Sequence, residues 1–200
     1  LMDRAGKSVF DSVDWTGKKI YIFVGKGNNG GDGYALATQM LEHNIYPYIF
    51  QVGDNKSPTA KVFKDQLIAR GYHQIFDIAF CDYDCDIAVD CIFGVGFSRS
   101  VDEVTRNIFD KINSSRAYVV SVDIPSGLNS DNGLGKDCIK ADMTIAIQSL
   151  KLGHLLSDGK DKCGIVKVVD IGISIIGEKI GIADDDYACK FFPPRLNNTN

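Results

Sequence analysis

Histidine is scarce in this 200-residue chain. Only His43, His73 and His154 are present, so imidazole catalysis is thinly supplied. The six cysteines, Cys81, Cys85, Cys91, Cys138, Cys163 and Cys189, form no C-x-x-C pair and have no histidine at metal spacing. That pattern argues against a zinc site and predicts reduced, mostly buried thiols. Basic residues are in deficit: 22 Lys and Arg against 26 Asp and Glu leave a net charge of −4, whereas a nucleic-acid partner calls for a basic face. No apolar run approaches the roughly 20 residues of a membrane span, and no signal peptide opens the chain. A cytoplasmic protein with neither nucleic-acid nor membrane partner is expected.

What is present is material for a core. Hydrophobic residues make up 44% of the chain and the mean hydropathy is −0.06, the profile of one soluble globular domain. The densest signal is at residues 20–34, Ile-Tyr-Ile-Phe-Val-Gly-Lys-Gly-Asn-Asn-Gly-Gly-Asp-Gly-Tyr. The apolar run 20–24 suits a strand buried on both faces, and from Tyr34 the residues Leu36, Ala37, Met40 and Leu41 recur at helical spacing. Between them, Gly25, Gly27 and Gly30 fit G-x-G-x-x-G, in which glycines permit a tight turn and close backbone approach to a pyrophosphate. Gly31 and Gly33 add backbone freedom. Asn28, Asn29 and Asp32 depart from an ordinary phosphate cradle, because a carboxylate at Asp32 would repel a pyrophosphate. The loop is expected to hold hydroxyl or amide groups, or a hard cation that takes oxygen ligands. The plainer alternative is a strand-to-helix turn with polar caps.

Residues 1–13 carry Met2, Ala5, Val9, Phe10 and Val13 on one helical stripe with no cap before it, and upstream sequence is expected. Exposed apolar residues of that helix are candidates for a dimer contact. Residues 45–52 read as a second strand and 53–56 as a turn. Ser57 with Pro58 then opens a helix that Gly71 closes. Further strands are expected at 75–80, 86–93, 117–123, 143–147 and 165–169, with Ile108, Phe109 and Ile112 marking another helix. Strands alternating with helices predict an α/β protein, a Rossmann-like three-layer α/β/α sandwich with a mostly parallel sheet. One domain is expected over 1–190. The Phe192-Pro193-Pro194-Arg195 run reads as the start of a linker, 191–200, toward further sequence.

In an open parallel sheet, ligands bind at the carboxyl ends of the strands near the topological switch point. Three polar clusters fall at such ends, 28–32, 90–100 and 123–126. Asp90 and Asp123 lie near the ends of apolar strands, where a charge is costly unless it binds something; Asp123 before Pro125 also suits a plain turn. Asn29, Asp90 and Ser126 are oxygen donors with one certain carboxylate among them, a set that favours potassium or sodium over zinc. In the second glycine-containing loop, Gly94-Val95-Gly96-Phe97-Ser98-Arg99-Ser100, the last two residues suit a phosphate or an ordinary exposed surface. Lys151 follows a strand of the same sheet and either reaches the site or snorkels at the surface.

The run Gly25-Lys26-Gly27-Asn28-Asn29-Gly30-Gly31-Asp32-Gly33, with Asp90-Cys91-Ile92-Phe93-Gly94 and Asp123-Ile124-Pro125-Ser126-Gly127-Leu128, resembles the YjeF N-terminal domain, the NAD(P)HX epimerases. The resemblance runs from Leu1 to about Gly172. It implies an epimerase that interconverts the R and S forms of hydrated NADH and NADPH, often fused to an ADP- or ATP-dependent dehydratase, and a homodimer. It also implies potassium at Asn29, Asp90 and Ser126, and substrate at Asn28, Asn29, Gly30, Gly31, Asp32, Gly94, Val95, Gly96, Phe97, Ser98, Arg99, Ser100 and Asp123. Asn129 stands where the family more often has aspartate, and no proline accompanies Lys151.

Inversion at a carbon bearing a hydroxyl beside a ring nitrogen can proceed by loss of hydroxide and return of water to the other face, which calls for an acid and a base. Asp123 is the expected acid/base, with Lys151 as its partner. Two other classes compete. A non-catalytic binding or scaffolding module of this fold should have lost Asp32, Asp90 and Asp123. A nicotinamide-dependent dehydrogenase fits G-x-G-x-x-G but not Asp32.

Overall fold

A computed structural model describes residues 1–54, 56–98 and 100–174. The elements in chain order are α1 (Met2–Phe10), β1 (Ile20–Val24), α2 (Asn28–Glu42), β2 (Tyr48–Gln51), α3 (Pro58–Ala69), β3 (Ile75–Asp77), β4 (Ile87–Cys91), α4 (Glu103–Ser114), β5 (Tyr118–Val122), β6 (Met143–Ile147), α5 (Leu152–Leu155), α6 (Gly159–Lys162) and β7 (Ile165–Val169). The strands form one seven-stranded sheet in the order β3-β2-β1-β4-β5-β6-β7, and every pairing is parallel. The Rossmann-like sandwich read from the sequence is the fold observed.

Alternation along the strands explains the layers. Ile20, Ile22 and Val24 point with Val89, Cys91, Val120 and Val122 toward Val9 of α1, Leu36 and Met40 of α2 and Leu67 of α3. Tyr21, Phe23, Ala88 and Val119 point the other way, onto Ile108, Phe109 and Ile112 of α4. Both faces are covered, which is why the strands read as continuous apolar runs. The order runs outward from β1 in one direction and from β4 in the other. Right-handed crossovers therefore put α2 and α3 on one face and α4 on the opposite one. The gap between the carboxyl ends of β1 and β4 is the switch point.

Some boundaries differ from expectation. The glycine-rich stretch is mostly helix: α2 starts at Asn28, not Tyr34, and only residues 25–27 make the turn. Helix propensity argues against five glycines near a helix start, and packing overrides it. A Cβ on Gly33 would stand 2.8 Å from Val24 Cγ1, and one on Gly31 would stand 2.4 Å from Met2 Cε. The glycines thus let α2 lie close to the sheet and to α1. Likewise the stripe of residues 1–13 turns inward at Ala5 and Val9 and is half-buried at Met2, Phe10 and Val13. Ala5, Gly6 and Val9 are buried, and a Cβ on Gly6 would stand 2.6 Å from the Ala35 carbonyl carbon. The expected strand at 75–80 stops at Asp77, whose side chain caps a short 3-10 turn, Ile78–Phe80. The Ser57 cap is as read: its hydroxyl accepts from the Ala60 N–H at 3.3 Å, with Pro58 in the first turn.

The five described cysteines are free. Burial pushes the thiols of Cys81, Cys138 and Cys163 up to about 11, so they stay protonated and unreactive. Cys189, residues 184–186 and the linker read at 191–200 lie outside the described residues.

Candidate active site

A cleft of about 920 Å³ opens at the switch point. The turn after β1 and the start of α2 supply Lys26, Gly27, Asn28, Asn29 and Asp32, the loop after β4 supplies residues 92–98, and Asp123 enters from the end of β5. Of the residues named from the sequence, Asn28, Asn29, Asp32, Gly94, Val95, Gly96, Phe97, Ser98 and Asp123 line it. Gly30 is buried, Gly31 faces Met2 and Ala60 rather than the cleft, and Ser100 is exposed beyond the loop. Arg99 lies outside the described residues.

Behind the cleft floor, Asp90 organises the loops. Register sets it beside Ser121 across β4 and β5, and it is only 1% exposed. Its carboxylate accepts from Ser121 Oγ at 2.9 Å, Ser126 N at 2.8 Å, Ser126 Oγ at 2.5 Å and Ile92 N at 3.1 Å. Burial pushes its pKa up, and these four donors pull against that. Ser126 Oγ also accepts from Phe93 N–H at 2.7 Å. Asp90 and Ser126 thereby pin the start of the 92–98 loop.

Asn29 joins this cluster from the other side. Its Nδ2 donates to the Phe93 carbonyl at 2.7 Å, which leaves Oδ1 buried without a partner. An unpaired buried acceptor costs about 1–3 kcal/mol, a cost that a hard cation bound at this oxygen removes. The side-chain and carbonyl acceptors of the cluster, the Phe93 carbonyl, the Ser126 hydroxyl and the Asp90 carboxylate, are oxygens, a donor set that fits an alkali ion. Among the described residues, no cluster of three or more His, Cys, Asp or Glu is placed to hold a metal ion.

On the β5 side, Asp123 adopts φ = 70°, a left-handed conformation that Asp tolerates better than most residues. Its N–H donates to Ile145 O at 2.8 Å, and its Oδ1 accepts from Ile147 N at 3.1 Å. Lys151 Nζ donates to the same Oδ1 and to the Ile147 carbonyl, in an ion pair whose side chains are 17% and 15% exposed. Lys151 is therefore a partner of Asp123, not a snorkelling surface residue. Across the cleft, Asp32 is half-buried with no cation paired to it among the described residues. Burial, and then the charge of Asp123, push its pKa up to about 7. Two carboxyls thus face one cleft in different electrostatic settings, one ion-paired and one not.

Three functional candidates were not assigned from sequence. Lys26 and Lys56 line the cleft mouth, and Lys56 N–H donates to Lys26 O at 2.9 Å. A Cβ on Gly53 would stand 2.2 Å from Lys26 Cε, so Gly53 makes room for that side chain. His154 lies buried behind Asp123, its Nε2 2.9 Å from the Asp123 carbonyl oxygen. The G-x-G-x-x-G pattern drew attention to glycines rather than to the lysine between them, and nothing in spacing linked His154 to Asp123.

Two relatives are similar in sequence and one solved structure in fold. A protein of Oenococcus oeni named NAD(P)H-hydrate epimerase is 36% identical over 183 residues, covering 86% of this chain and 85% of its own length. A bifunctional NAD(P)H-hydrate repair enzyme Nnr of Archaeoglobus fulgidus is 33% identical over 177 residues, covering 86% of this chain but 37% of its own. The crystal structure of yeast ynu0 superposes with a TM-score of 0.70 at 22% identity, over 100% of this chain and 86% of the other, a shared fold. Residues 1–153 match the family described as YjeF-related protein N-terminus. With three quarters of its length inside that match, the chain belongs to the YjeF-related N-terminal family.

Proposed function

We propose that the chain is an isomerase, an NAD(P)H-hydrate epimerase that interconverts the R and S hydrates of NADH and NADPH. The observation that carries the reading is the pair of carboxyls facing one cleft, Asp123 bound to Lys151 and Asp32 held protonated up to about pH 7. A carboxyl held protonated beside one held in an ion pair supplies an acid and a base in one site. The protonated Asp32 gives its proton to the departing hydroxyl, the ring nitrogen lone pair stabilises the cationic carbon, and Asp123 takes a proton from the water returning to the other face. The return reaction exchanges the roles. Lys151 holds the Asp123 carboxylate toward the cleft, and Lys26 with Lys56 supply positive charge for the substrate pyrophosphate.

Asn29, Asp90 and Ser126 would hold a potassium ion, whose role is to order the 92–98 loop against α2. Two relatives named bifunctional NAD(P)H-hydrate repair enzymes carry a second activity, which we infer to be a dehydratase that consumes one epimer. We further infer a homodimer, on family resemblance, and a cytoplasmic setting, to which the free buried thiols are suited. Sedimentation tests the first and cell fractionation the second.

The deciding experiment follows R-to-S conversion of hydrated NADH by chromatography in potassium buffer, with wild type beside Asp123→Ala. Acceleration by wild type that is lost in the variant supports the reading. A wild-type rate equal to the uncatalysed one overturns it in favour of a binding module.

A further inference from the structure

His154 is 2% exposed and sits at the junction of the two segments that carry Asp123 and Lys151. Its ring is bonded on both sides. The Lys151 backbone N–H lies 3.2 Å from Nδ1; a backbone N–H can only donate, so Nδ1 is the acceptor. Nε2 faces the Asp123 carbonyl oxygen at 2.9 Å; a carbonyl can only accept, so Nε2 carries the hydrogen. One tautomer of a neutral imidazole satisfies both contacts.

We propose that His154 is a positioning residue that locks Asp123 and Lys151 into register through the Nε2–H tautomer of its ring. The claim rests on the epimerase reading for its kinetic consequence and on geometry alone for its structural one. The lock has something to hold. Asp123 at φ = 70° and Gln148 at φ = 67° are both left-handed non-glycine residues, a conformation that residues other than glycine disfavour and that persists where its surroundings over-determine it. Gln148 is fixed by its N–H to Val169 O at 2.7 Å and by its Oε1, which accepts from Ile171 N and Ile173 N. Asp123 is fixed by its own N–H, by Lys151 and, through its carbonyl, by His154. The chain is also shaped to bring the ring there. Gly153 N–H donates to Ser130 O at 2.7 Å, and a Cβ on Gly153 would stand 2.3 Å from Asn129 O. The loop after Asp123 and the turn that carries His154 are therefore in direct backbone contact.

The test has a spectroscopic arm and a kinetic arm. Histidine ring 15N and 13C resonances of wild type should show His154 as the Nε2–H tautomer; the Nδ1–H tautomer overturns the proposal whatever the activity. In the kinetic arm, His154→Leu, matched in volume and checked for folding by its melting temperature, should lower kcat about 10- to 100-fold with KM moved less than threefold, the mark of misplaced groups. His154→Gln, whose amide can both donate and accept, should return kcat to within about threefold of wild type. A folded His154→Leu with unchanged kcat, or a Gln variant no better than Leu, overturns the positioning role. Should wild type itself fail to accelerate epimerisation, the epimerase reading falls, and the tautomer still decides the geometric claim.

Discussion

Asparagine at position 32 removes a titratable charge from the cleft while keeping its shape, and its effect should run with pH. The folded-state pKa of Asp32 is about 7, against an ordinary value of 3.8. The native state therefore holds this proton more tightly than the unfolded chain does. Its contribution to stability is complete below about pH 4 and is lost as pH rises through about 7. At 1.36 kcal/mol for each tenfold change in proton affinity, the full loss is at most about 4 kcal/mol, and solvent at the cleft mouth should halve it to about 2 kcal/mol. Asp32→Asn should therefore nearly match wild type in stability at pH 4 and exceed it by about 2 kcal/mol at pH 8.5, an increase of about 4–8 °C in melting temperature for a chain of this size. Differential scanning calorimetry in tetramethylammonium buffer, which keeps alkali ions from neutralising the carboxyl, reads this directly. The same variant should lose about 100-fold or more of its epimerase rate. Parallel melting curves for the two proteins from pH 4 to 8.5 would refute the reasoning, because they would mean that Asp32 titrates as an ordinary solvated carboxyl.

Gly25→Ala should abolish or severely impair folding, since its Cβ would stand 1.8 Å from the Ile92 carbonyl oxygen; soluble yield and circular dichroism check this. Asp90→Ala strands four donors that now converge on one carboxylate and should cost more than about 4 kcal/mol in urea unfolding, at about 1–3 kcal/mol for each group left unpaired. Replacing tetramethylammonium with potassium at 0.1 M should raise the melting temperature by about 3–6 °C if the ion binds near 10 mM, by mass action. Asn29→Ala should erase that dependence, and a wild type indifferent to potassium would remove the ion from the site.

The fold was legible because a doubly covered parallel sheet writes itself as repeated short apolar runs. Residues 20–24, 143–147 and 165–169 were read at the observed bounds of β1, β6 and β7. The start of α2 was not legible. Local propensity places a turn wherever Asn-Asn-Gly-Gly-Asp-Gly stands, whereas the observed helix depends on contacts with Met2, Ala60, Val24 and Cys91 from four other elements. On α1 the sequence shows a face that needs burial but not its partner, because amphipathicity shows that a face is buried without showing what buries it.

The site divides along the same line. Asp90 and Asp123 could be singled out because a carboxylate at the end of an apolar strand must answer for its desolvation. Asp32 stands out in the sequence because a carboxylate there would repel a pyrophosphate, yet its acidity is set by burial and by a charge 91 positions away, at Asp123. Lys151 looked doubtful by motif, and His154 carried no signal, because each acquires its meaning from strained backbone at Asp123 and Gln148 that folds one loop over another. What a sequence can show is which residues need partners. Which partners they receive depends on the crossing of segments far apart in the chain, and the proposed acid–base pairing would arise at that level: Asp32 lies on α2, Asp123 just after β5, Lys151 at the cap of α5 and His154 within it.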